Sequence, residues 1–93
     1  MIFSIDPGKR ATFWGKNMQI FLNVLDERIA AAEKKGDQCK QKQWQSARNF
    51  LSMFGVKLST LKMEDLNGTG LIELENDLEA ADDIMIQMIR EKN

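Results

Sequence analysis

From position 70 to 91, the apolar residues Leu71, Leu74, Leu78, Ala81, Met85 and Met88 follow one another at alternating steps of three and four. This spacing is a heptad seam, and it commits the segment to a helix with one face turned inward. Thr69 stands where a side-chain oxygen caps the first turn, so the last helix reads as residues 69–91. Ile72, Ile84, Ile86 and Ile89 lie beside the seam and make the second half apolar around most of its circumference. A helix of that kind is covered by several neighbours. Acidic residues fill its first two-thirds and Arg90 and Lys92 its end, the order that suits the helix dipole.

Two more segments carry the same period. Trp14, Met18, Phe21, Leu22, Leu25, Ile29 and Ala32 mark one face of a helix over about residues 10–35. Gly36 supplies a left-handed stop, and Gly15 moves the start towards Lys16. Asp37 caps a second helix over 37–54, with Trp44, Ala47, Phe50, Leu51 and Phe54 as its stripe and Gly55 as its terminator. Residues 1–9 read as an extended arm broken by Asp6-Pro7-Gly8. A connector over 56–67 holds a short helical turn capped by Ser59 or Thr60, and Asn67-Gly68 signals a turn. The expectation is an all-α chain, one domain over 1–93: a small three-helix bundle with a short extra helical turn. Its apolar faces are wider than three helices cover at this size, so it is expected to pack as a dimer or higher oligomer.

Composition removes whole classes of chemistry. The 93 residues contain no histidine and one cysteine, Cys39. That excludes an internal disulfide framework, a Cys/His zinc site, a serine triad and an imidazole pH switch. Cys39 adjoins Lys40 but has no histidine to activate it. Carboxylate pairs such as Glu73 with Asp77 and Glu79 with Asp83 have the spacing of one solvated helix face rather than of acid–base catalysis. No enzyme, cofactor or membrane association is expected. The opening Met-Ile-Phe-Ser-Ile-Asp-Pro lacks the basic leader of a secretory signal, and a lone thiol suits the reducing cytosol of a cell or an infected host cell.

The net charge of −1 hides an asymmetry. Residues 1–62 hold 11 Lys/Arg against 5 Asp/Glu, and residues 63–93 hold 2 against 9. Either the acidic helix folds back on the basic part, or one half meets a charged partner. For a protein partner the candidate contacts are the acidic residues Glu73, Glu75, Asp77, Glu79, Asp82 and Asp83 on the last helix. Lys40 and Lys42 around Trp44 form a second candidate, a cation-rich turn with an aromatic.

Two segments resemble known motifs over part of their length. Phe50 to Lys62 resembles the middle of a helix-turn-helix, with Gly55 as the turn glycine and Val56 and Leu61 as buried positions. The resemblance, spread over 47–66, implies that Lys57, Ser59, Thr60 and Lys62 meet DNA. It departs at Leu51, where a small residue lets the two helices approach, and at Glu64 and Asp65, which phosphates repel. Asp65 to Glu73 resembles the first nine positions of an EF-hand calcium loop, which implies oxygen ligands from Asp65, Asn67, Thr69 and Glu73. The bidentate glutamate of position twelve is missing, because Asn76 stands there.

The expected function is that of a small non-enzymatic protein–protein interaction module, a regulator or inhibitor that occupies a partner's surface. Its expected partners are itself and another protein. The alternatives are a DNA-binding regulator using 47–66 and a degenerate calcium-binding protein.

Overall fold

A computed structural model describes residues 7–62 and 68–91. They form α1 (Pro7–Lys35), α2 (Gln38–Thr60) and α3 (Gly68–Arg90), with no strand among the described residues. The three-helix all-α architecture follows the apolar spacing. Two of the helix boundaries do not.

α1 begins at Pro7, earlier than the expected start near residue 10 or 16. Proline suits a first turn, since its missing N–H is one that has no intrahelical acceptor and its φ is already helical. The supposed breaker is therefore the start, and Thr12 Oγ1 donates back to the Gly8 carbonyl at 2.9 Å. Residues 1–6 of the expected arm lie outside the described residues. Gly15 sits within the helix, and a Cβ there would meet nothing within 4 Å.

The junction of α1 and α2 is as tight as a helical hairpin allows. Gly36 takes φ +74°, where side-chain-bearing residues are strained. Its N–H reaches the Glu33 carbonyl at 3.1 Å, and that of Asp37 reaches Ala32 at 2.9 Å. These two bonds are a Schellman closure. Asp37 then opens α2, its carboxylate accepting from the Lys40 backbone N–H at 3.0 Å. One residue ends the first helix and starts the next.

α2 does not stop at Phe54. It runs through Gly55 to Thr60 and absorbs the expected break and the separate helical turn. Gly55 is there for closeness: a Cβ on it would lie 3.2 Å from Met18 Cγ of α1. Leu58 and Leu61 continue the stripe of Phe54 and pack against the core. The hydroxyls of Ser59 and Thr60 donate to the carbonyls of Val56 and Lys57, at 2.7 and 3.1 Å. They close turns within the helix instead of capping a new one. Thr69 likewise lies inside the first turn of α3, which begins at Gly68.

Trp14, Phe54, Leu25, Leu51 and Leu78 are the largest fully buried side chains and draw on all three helices. The Trp14 ring lies 4.5 Å from Phe21 and 6.5 Å from Phe54, centre to centre. Of the α3 seam, Leu74, Leu78, Ala81 and Met88 are buried, while Leu71 and Met85 are half-buried. Apolar surface is left over: Phe13, Ile20, Met53, Val56, Ile72 and Ile89 are all exposed. No helix among the described residues is long and apolar enough to cross a membrane.

Candidate functional site

The charge asymmetry becomes a contact. Residues 68–91 carry seven acidic residues and one basic one, while 7–62 carries eleven basic and four acidic. Three of the seven point inward and pair with the other two helices. Asp82 is 8% exposed, pairs with Arg10 and accepts the Trp14 indole N–H at 3.0 Å. Asp77 is half-buried and pairs with Lys57 at 3.3 Å. Glu91, just beyond α3, pairs with Lys40 and accepts from Gln43 Nε2 at 3.3 Å. The acidic helix thus folds back on the basic pair.

Arg28 completes this closure. Its guanidinium donates to the main-chain carbonyls of Met88, at 2.8 Å, and of Glu91. These are carbonyls at a helix end that lack an intrahelical donor, and a cation there also complements the dipole. The same guanidinium lies 5.3 Å from the Trp44 ring centre, and Lys40 Nζ lies 6.0 Å from it.

These contacts correct part of the expected docking set. Trp44 is 3% exposed and is a core side chain covered by two cations, with no free aromatic face to offer. Lys40 is engaged with Glu91 and Trp44, which leaves Lys42 as the exposed one of the two lysines. Asp82 and Asp77 belong to the interior and its edge. What remains outward on α3 is Glu73, Glu75, Glu79 and Asp83, none of which has an ion-pair partner among the described residues. Glu75, Glu79 and Asp83 fall at steps of four on one stripe, flanked by Ile72 at one end and Ile86 at the other. Ile72 is 60% exposed. The stripe is thus acidic in the middle and apolar at both ends.

The helix-turn-helix expectation fails at its turn. Gly55 is interior to α2, so residues 47–60 are one helix without the bend that would set a recognition helix apart. Lys57 pairs with Asp77, Ser59 and Thr60 are bonded to their own backbone, and Lys62 follows the helix as an exposed residue. The calcium loop fares similarly where it is described. Thr69, Gly70 and Leu71 are already helical, whereas a calcium loop at those positions is not yet helix. Asp65 and Asn67 lie outside the described residues. Glu73 is exposed, and no cluster of three or more acidic or cysteine side chains placed to hold a metal occurs among the described residues.

A second surface escaped the sequence reading. On the side of α1 and α2 away from α3 runs an open groove of about 670 Å³, to which no α3 residue contributes. Small residues make its walls low: Gly8, Ala11 and Gly15 from α1, Ser52, Gly55 and Ser59 from α2. Met18 and Leu22 lie along it, and among the described residues its charged lining is Lys16 and Lys62. The available signal was the spacing of small residues on two neighbouring helices, which the apolar stripes obscured. No protein-family model matches the chain, and no curated protein or solved structure matches it either.

Proposed function

We propose that this chain is a small non-enzymatic interaction module that docks on proteins through the outer stripe of α3. It acts as a regulator or inhibitor by occupying a basic surface of its partner. One observation carries the reading: α3 uses Asp77, Asp82 and Glu91 to hold itself to the bundle and leaves Glu73, Glu75, Glu79 and Asp83 facing out. A single helix thereby has an inner face engaged in folding and an outer face with charge, apolar ends and no internal role. Like charges crowded on an exposed face cost some stability and raise the rate and selectivity of encounter with a cationic surface.

The test compares two baits, the wild-type chain and a Glu75→Lys/Glu79→Lys/Asp83→Lys variant, in extracts of the native host. Proteins held by the wild type are expected to be lost by the variant and to elute from the wild type with rising salt. Identical captures by both baits would remove the reading. So would measurable affinity of the wild type for random duplex DNA that falls steeply with salt, the signature of the DNA-binding alternative.

A further inference from the structure

We infer that one partner of the α3 stripe is a second copy of this chain, whose α1–α2 groove receives it. The inference rests on the reading of the stripe as a docking surface and names what fits it. Three properties match. Among the described residues the groove's charged lining is lysine, with Lys16 on its α1 wall and no carboxylate, whereas the stripe bears Glu75, Glu79 and Asp83 and no lysine. The groove has small, low walls and apolar side chains such as Met18 and Leu22, and a helix can settle closely into such a channel. The stripe brings Ile72 and Ile86 to its two ends. Finally the lengths agree: the groove spans Gly8 to Leu22 on α1 and the stripe Ile72 to Ile86 on α3, about 21 Å each at a helical rise of about 1.5 Å per residue.

Geometry also fixes the kind of assembly. The groove lies on the face of the α1–α2 pair away from α3, and the stripe faces out from the other side of the bundle. The two surfaces of one molecule are back to back, so the contact is heterologous. A copy that fills its neighbour's groove leaves its own groove open for a third, and association continues into a ring or a linear stack.

Mass measurement by light scattering across concentration and salt tests this on purified protein. Two variants separate the surfaces. Gly15→Trp fills the groove from a position where added atoms meet nothing, with Gly15→Ala as the control that leaves the channel open. Glu79→Lys/Asp83→Lys reverses the stripe at exposed positions. Circular dichroism establishes that each variant is folded. The wild type and Gly15→Ala are expected to grow past two chains as concentration rises and to shrink in high salt. Each of the other variants alone is expected to run as a single chain. Mixed, they are expected to form a one-to-one pair and stop, because only one intact groove and one intact stripe remain to meet.

A wild type that stays a single chain at every concentration overturns the second-copy inference and leaves the bait experiment above to judge the stripe on its own. An assembly that ignores both variants, or a mixture that does not pair, overturns the interface. A stripe-reversed bait that still captures every partner, beside a mixture that pairs as expected, overturns the wider docking reading and keeps the self-contact.

Discussion

The carboxylate of Asp82 on α3 holds the indole N–H of Trp14 on α1, 68 residues away, at 3.0 Å, while its second oxygen pairs with Arg10. A buried acid that satisfies both an aromatic donor and a guanidinium fixes the rotation and height of α3 against α1 more closely than apolar packing does. Removing it takes the acceptor from the buried Trp14 N–H and one partner from Arg10. Asp82→Ala is expected to cost about 2–3 kcal/mol, since a buried donor loses its acceptor and a charge-assisted bond is lost. Asp82→Asn keeps the bond to Trp14 and is expected to cost less. Urea unfolding followed by tryptophan fluorescence measures both, and an alanine variant within 1 kcal/mol of wild type, roughly the value of an exposed pair, would contradict the assignment.

Three glycines stand in three different environments and separate three effects. Gly15→Ala, in open helix, is expected to stabilise by up to about 1 kcal/mol through helix propensity. Gly55→Ala is expected to gain less, because its Cβ arrives 3.2 Å from Met18 Cγ and the methionine must shift. Gly36→Ala, at φ +74°, is expected to lose about 1–2 kcal/mol. Thermal melts should rank the variants in that order, and any other order contradicts the backbone assignment at the glycine out of place.

Arg28 acts as a cap supplied from another helix. Arg28→Ala is expected to destabilise by about 2 kcal/mol, since charge-assisted hydrogen bonds to two carbonyls are lost along with the contact over Trp44. Arg28→Lys is expected to restore little, a point charge being unable to bridge two acceptors as a planar fork does. Hydrogen exchange provides the local readout: amides at the end of α3 should lose protection first. Uniform loss across the bundle would point to a general packing role instead.

Ion pairs at the surface are expected to matter much less. Asp26 and Arg48 join α1 to α2 with Asp26 about half exposed. A double-mutant cycle on this pair should return a coupling below about 1 kcal/mol. That coupling should fade further at about 1 M salt, where the screening length falls to about 3 Å. A larger, salt-resistant coupling would show the pair to be more deeply embedded than its exposure implies.

The helices were legible because Trp14, Leu25, Leu51, Phe54 and Leu78 sit where the period of three to four puts them, and these are the side chains most completely buried. Gly36 and Asp37 were legible because a left-handed stop followed by a capping oxygen has little other use. Gly55 was misread because a glycine that ends a helix and a glycine that lets two helices touch look the same in one dimension. The difference lies in Met18, 37 positions earlier. The acidic face was read as uniform for a related reason. Periodicity places Asp82 near the seam but does not reveal that Arg10 and Trp14 await it, so a residue of the interior was counted among those of the surface. Trp44 was set among surface lysines for the same lack of a third dimension, since the cations that cover it come from α1 and from its own first turn.

Asp37 serves both helices at once, and this has a consequence for synthesis on the ribosome. The first two helices can close on each other as soon as they emerge, with almost no loop to gather in.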